Sequence, residues 1–234
     1  MMLIAIHQPQ YLPWLGYFDK MDQADAFCYL DNVQFKKNEW QNRNRLKTAQ
    51  GWQWLTVPVK YRFPQKIIEV TINTAVKWQR KHRQALSTNY QKAPYFNDYY
   101  PILESAFRQD FETIADLNIH MVTQIRAILG INSKPVVRAS ELSLSEDPTG
   151  RLIDICNHFG GDTYLAGQDG ANYMDMEQFD RSGIKVATQA FDHPHYSQCF
   201  GDFKSHMSIV DLIFNCGPES VNIIRTGRRS SEIG

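Results

Sequence analysis

Cysteine is scarce and scattered: Cys28, Cys156, Cys199 and Cys216 are the only four in 234 residues, and no two form a CxxC pair. That excludes a zinc ribbon or a thioredoxin-type redox motif. Cys28 and Cys156 sit in apolar patterns as buried thiols. Cys199, among polar neighbours, is the one cysteine to consider as a nucleophile. No apolar run approaches the roughly 18 residues of a membrane span. The start, MMLIAIHQP, has no basic n-region and no cleavage site, so no signal peptide is read and a cytoplasmic location is expected. Net charge is missing too, with 25 basic against 25 acidic residues. Such a balance supplies no global drive towards nucleic acid or anionic membrane, and no nucleic-acid partner is expected. No GxGxxG follows the first strand and no Walker A sequence occurs, which disfavours dinucleotide and P-loop nucleotide binding.

What is present is an ordinary globular composition, 43% apolar, and a repeated pattern of short apolar run, polar turn and amphipathic stretch. Leu3–Ile6 reads as a buried strand. It breaks into His7-Gln8-Pro9-Gln10-Tyr11-Leu12-Pro13, where two prolines forbid both strand and helix interior. Pro13-Trp14 then opens a helix. Ala26–Leu30 reads as a second strand ending at Asp31, so the pair forms a βαβ unit and implies a parallel sheet. Further strands are expected at 135–139, ending at Ser140, at 163–166, ending in Gly167-Gln168-Asp169-Gly170, and at 183–187. Helices are expected at 78–90, 96–107, 111–129 and from about 149 to 160. Met176 to Phe179 reads as a short connection. Ser208, with Asp211 three residues on, reads as the capping box of a helix at 209–214. The tail beyond Ile224 reads as frayed. The expectation is a single α/β domain over 1–234, with a mainly parallel Rossmann-like sheet, helices on both faces and a helical insertion near 74–130.

In such folds ligands bind at the C-terminal strand ends. His7, Asp31, Ser140, Gln168-Asp169 and His193-His195 are expected to gather along one edge. His7 is the leading proton-transfer candidate, with an ordinary imidazole value near 6.5. Tyr11, Asp31 or His193 would orient it. Gln8, Gln10, Gly167, Gln168, Asp169, His195, Tyr196 and Lys204 are candidate substrate contacts. The strongest basic cluster is Lys36, Lys37, Arg43, Arg45 and Lys47, interleaved with Trp40, Gln41, Asn42 and Asn44. Read as a helix it lines Lys36, Glu39, Arg43 and Lys47 along one side. Arginine forks suit phosphate or carboxylate, so Arg43, Asn44, Arg45 and Lys47 are expected at a phosphorylated ligand. A hairpin is expected from Trp52–Val59 with Lys66–Ile72. Asp192, His193 and His195 do not make a metal site, because Pro194 interrupts them and no further ligand is near. No cofactor is expected.

The stretch HQPQYLPWLGYFDKM resembles the N-terminal signature of the WbqC-like protein family. QNRNRLKT with WLTVPV, TYLAGQDGANYMD and FDHPHYSQCFGDFKSHMSIVDLIFNCG resemble its further segments, in the same order. The signature also brings Lys20 into the candidate substrate-binding set. The resemblance implies a bacterial setting of O-antigen and other surface-polysaccharide synthesis. On that basis the expected reaction is acyl or aminoacyl transfer to a nucleotide-linked amino sugar, with His7 as general base. The alternatives are a nucleotidyltransferase-like enzyme or a non-catalytic nucleotide-sugar binding protein. A strand, a histidine and a Pro-started helix also resemble class I synthetases and nucleotidylyltransferases. The absence of a second histidine in PWLGYF, with only Lys204-Ser205 as a later echo, weighs against ATP activation.

Overall fold

A computed structural model describes residues 1–168, 170 and 174–229. In chain order the elements are β1 (Leu3–His7), α1 (Leu15–Gln23), β2 (Ala26–Tyr29), β3 (Arg43–Thr48), β4 (Gly51–Thr56), β5 (Val59–Lys60), β6 (Thr71–Ile72), α2 (Trp78–Tyr90), α3 (Phe96–Phe107) and α4 (Ile114–Ile128). Then follow β7 (Val136–Arg138), α5 (Pro148–His158), β8 (Thr163–Ala166), α6 (Met176–Ser182), β9 (Lys185–Thr188), α7 (Ile209–Cys216) and α8 (Ser220–Thr226).

Five strands form the main sheet in the order β7-β2-β1-β8-β9, and every pairing is parallel. The chain steps outward from β1 through β2 to β7, then crosses back to lay β8 on the other side of β1. This is the Rossmann-like order, and its topological switch point lies between β1 and β8.

Alternation along each strand builds the two layers. Ala5, Phe27, Tyr29, Leu165 and Ala187 turn to the face that carries α1, α7 and the insertion helices α2–α4. Ile4, Ile6, Ala26, Cys28, Tyr164, Ala166 and Val186 turn to the opposite face, against Leu152, Ile155 and Cys156 of α5 and Phe179 of α6. A Cβ at Gly161 would run into the Ile4 side chain, so only glycine lets α5 return to the sheet so closely. The insertion shares the apolar cluster of the first face, through Leu86, Leu103 and Ile125.

Three local expectations are corrected. The basic segment is a strand, not a helix: Arg43, Arg45 and Lys47 alternate with Asn44, Leu46 and Thr48, and β3 pairs antiparallel with β4 across Ala49-Gln50. Leu46 and Leu55 bury one face of that hairpin, so a period of two fits the apolar positions. The expected 52–59/66–72 hairpin is reduced to β5 with β6, pairing Val59 with Ile72 and Lys60 with Thr71. Met176–Ser182 is a helix, N-capped by Asp175 through Gln178 N.

The tail is tied down as far as residue 229. Arg228 donates to Asp19 Oδ1 at 2.9 Å and to Asp22 Oδ2 at 2.7 Å, and Arg225 makes a forked pair with Asp22. Asp19 is fully buried on α1 and also accepts from Gln189. Removing its guanidinium partner strands a charged acceptor inside the protein. Arg228→Ala is therefore expected to cost about 2–3 kcal/mol in urea unfolding. Arg181→Ala, which loses only an exposed contact to Asp175, is expected to cost less than about 0.5 kcal/mol.

Candidate functional site

The loop after β1 is fixed from several sides. Asn118 of α4, fully buried, donates from Nδ2 to Pro9 O at 3.1 Å and to Gln41 O at 2.7 Å. Asn44 Nδ2 donates to the carbonyls of Tyr11 and Leu12. The buried Tyr11 hydroxyl lies 2.7 Å from His82 Nδ1, and His82 Nε2 donates to Thr56 O. Gln41 Nε2 donates to Gln8 Oε1 at 2.6 Å. His7 and Gln8 are thereby presented rigidly at the end of β1.

They open onto a cleft of about 480 Å³ at the C-terminal ends of β1, β2 and β8, on the switch point. Ile6, Leu30, Val33, Leu152 and Met174 supply its apolar wall. Its cations are Lys20, Lys36 and Arg151, and no Asp or Glu lines it among the described residues. Thr149 lies on the rim and accepts from Asp175 N.

Lys20 is the unusual group. Its side chain runs from α1 back under the sheet end, is 2% exposed, and donates from Nζ to Ile6 O at 2.9 Å. The ammonium also lies 5.6 Å from the ring centre of Tyr164. Among the described residues no carboxylate pairs with it. Burial lowers its pKa to about 7. His7 Nδ1 donates to Gln8 O at 3.1 Å, since a carbonyl only accepts. Its Nε2 is therefore the lone-pair nitrogen. Burial first, then the neighbouring Lys20, pulls His7 down to about 3. The ordinary value expected for His7 from the sequence is thus corrected: burial keeps the imidazole neutral at pH 7.

Only part of the expected set converges here. His7, Gln8, Lys20 and Gly167 line the cleft. Gln168 sits exposed just past Gly167, and Asp169 lies outside the described residues. Asp31 is consumed by Ser140, accepting from its N–H at 2.9 Å and its hydroxyl at 2.8 Å, so it latches β2 to the turn after β7. Tyr11 is spent on His82, and Gln10 is turned away with a buried, unpartnered Oε1. Neither Asp31 nor Tyr11 touches His7, and His193 stacks on Trp14 instead. Asp211 does not close a capping box with Ser208. It accepts from Tyr90, Tyr196 and Gln198, which gives Tyr196 a structural partner. Lys204 and His195 are exposed outside the cleft lining. Sequence reasoning passed over Arg151 and Thr149. Their signal was position, since the first turn of a helix after a strand faces the same sheet edge.

The basic cluster is divided: Lys36 lines the cleft, and Arg43, Arg45 and Lys47 stand on the β3–β4 hairpin. Arg43 lies 4.0 Å over the Trp54 ring, and Arg45 sits 5.3 Å from Trp40, 5.3 Å from Trp52 and 5.8 Å from Trp54. Lys47 is drawn inward, donating to the carbonyls of Gly201 and Asp202. None of these hairpin residues lines the cleft.

The model of the WbqC-like protein family matches residues 8–223. This chain belongs to the WbqC-like protein family. It is also 36% identical over 230 residues to the uncharacterized protein Rv1507c of Mycobacterium tuberculosis (strain ATCC 25618 / H37Rv), covering 97% of this chain and 99% of that protein. No solved structure matches. No helix among the described residues is long and apolar enough to cross a membrane.

The two cavity-facing and loop-clamping histidines set an acid dependence. His7 falls to about 3 and His82 to about 4, against 6.5 in the unfolded chain. Between those values the unfolded chain holds protons that the folded protein does not, so stability falls as pH drops through that window. Each group contributes a slope of up to about 1.4 kcal/mol per pH unit. Urea midpoints between pH 6.5 and 4 are expected to fall less steeply for His7→Gln than for the wild type. Equal slopes would mean that His7 is not held neutral.

Proposed function

We propose that this WbqC-like protein is a transferase of surface-polysaccharide synthesis that moves an acyl or aminoacyl group onto the amine of a nucleotide-linked sugar. The observation that carries this reading is the switch-point cleft itself. It gathers Lys20, Lys36 and Arg151 without a lining carboxylate among the described residues, beside a neutral imidazole. A cleft of that charge selects an anionic substrate, and its volume suits one sugar unit with a phosphate. The polysaccharide setting is what the family resemblance implies.

In the reaction the amine nitrogen attacks the carbonyl carbon of the acyl donor. The new C–N bond forms as the bond to the donor's carrier breaks, and the nitrogen gives up one proton. His7 Nε2 is the acceptor in reach, because Nδ1 is committed to Gln8 O. Burial is the larger cause of the His7 depression and Lys20 the lesser; a phosphate settling against Lys20 offsets the lesser one and so raises the proton affinity of His7. Substrate binding and base activation are therefore one event in this account. Gln8, held by Gln41, offers an amide to a sugar hydroxyl.

A screen of purified protein with nucleotide amino sugars and acyl or aminoacyl donors, read by mass spectrometry, tests the reading. The expected result is an acylated sugar nucleotide. His7→Gln is expected to fold, bind and lose roughly 10²–10⁴ in turnover. Lys20→Met is expected to raise the nucleotide-sugar Kd at least tenfold, since one charge-assisted contact is worth about 1.5–3 kcal/mol. Binding without product, weakened by His7→Gln, would instead mark a nucleotide-sugar binding protein.

A further inference from the structure

We infer that the outward face of the β3–β4 hairpin is a nucleoside-diphosphate site, separate from the cleft, formed by Arg43, Arg45, Trp52 and Trp54. The register puts Arg45 directly across from Trp54 and Lys47 across from Trp52, so cations and indoles share one face. Trp52 and Trp54 remain 44% and 38% exposed, which is unusual for indoles that have a core to join. Both guanidiniums are stacked on those rings, and neither is in an ion pair among the described residues. Arg43 Nε and Arg45 Nε are buried without an acceptor. The same protein pairs Arg138, Arg225, Arg228 and Arg229 with carboxylates, so two free forks side by side are a local departure.

The chemistry of the occupant follows from these two features together. Arginine forks match phosphate oxygens bidentately. Residues two apart on a strand stand about 6.6 Å apart, a spacing that lets two forks grip adjoining phosphates. An exposed indole offers a face on which a flat base stacks. A bare anion uses only the forks, and a bare nucleoside uses only the rings. Lys47 stiffens the platform by holding the Phe200-Gly201 turn against it through the carbonyls of Gly201 and Asp202. The site stands on the hairpin alone and does not depend on what reaction the cleft performs. The diphosphate can belong to the sugar nucleotide or to a nucleotide carrier of the acyl donor, and the base it prefers separates them.

Tryptophan fluorescence and calorimetry on the full chain with UDP, ADP, adenosine and inorganic pyrophosphate test the inference. UDP or ADP is expected to quench tryptophan emission and bind at least tenfold more tightly than adenosine or pyrophosphate. Preference for UDP assigns the site to the sugar nucleotide, and preference for ADP assigns it to the donor's carrier. The double variant Arg43→Gln/Arg45→Gln is expected to lose at least tenfold in affinity with an unchanged circular dichroism spectrum. Arg45→Lys, which keeps the charge and loses the fork, is expected to lose most of that affinity as well. Arg181→Ala, which loses only an exposed contact to Asp175, is expected to leave the binding unchanged. No binding of either diphosphate, or binding that the arginine variants leave intact, would overturn the inference. So would binding that Lys20→Met abolishes, since the ligand would then sit in the cleft.

Discussion

One charge in an awkward place governs this structure. The Lys20 ammonium lies under the end of β1, 2% exposed, with a backbone carbonyl and the Tyr164 ring as its company. A buried cation without a counter-ion is costly. The fold tolerates it because the carbonyl of Ile6 accepts from it and because burial moves its titration down to about 7. Burial, and after it the same charge, keeps His7 neutral. In the proposed reaction an anion at the cleft floor would couple these two groups.

Holding such an arrangement requires rigid surroundings, and the helical insertion supplies them. Asn118 and His82 come from α4 and α2, far away in sequence, yet they fasten Pro9, Gln41 and Tyr11. Each is buried with named partners, His82 through both ring nitrogens and Asn118 through its Nδ2, while Asn118 Oδ1 is buried without a partner. The insertion is thus the backing of the first loop. At the other end of that loop, a Cβ at Gly16 would collide with the Trp14 ring, so the glycine lets the indole lie back over α1. Trp14 in turn stacks against His193 and His206.

Much of this was legible in the residues. The apolar runs at 3–6, 26–30 and 163–166, each followed by a polar turn, announced parallel strands, and the spacing of Ile114, Leu117, Met121, Ile125 and Ile128 placed α4. His7 and Gly167 lie at one cleft because strand ends in a parallel sheet share an edge. The hairpin was harder, since Arg43–Lys47 is too polar to show the alternation that its mostly buried Asn44, Leu46 and Thr48 impose. Asp31, Tyr11 and Tyr196 looked like site residues for the same reason that they are structural. Each is a hydrogen-bonding group at a special place, and only three-dimensional partners such as Ser140, His82 and Asp211 reveal that its capacity is spent. The tail looked frayed because Arg225 and Arg228 pair across more than 200 residues with Asp22, a distance at which sequence carries no pairing signal.

The account rests on Lys20 being a desolvated ammonium that a substrate anion completes. An NMR titration of the Lys20 side chain, with and without a UDP-linked amino sugar, measures this directly. The account predicts a midpoint near 7 in the free protein and an upward shift once the sugar nucleotide is bound. A midpoint in the ordinary lysine range near 10.4, unmoved by the ligand, would contradict it.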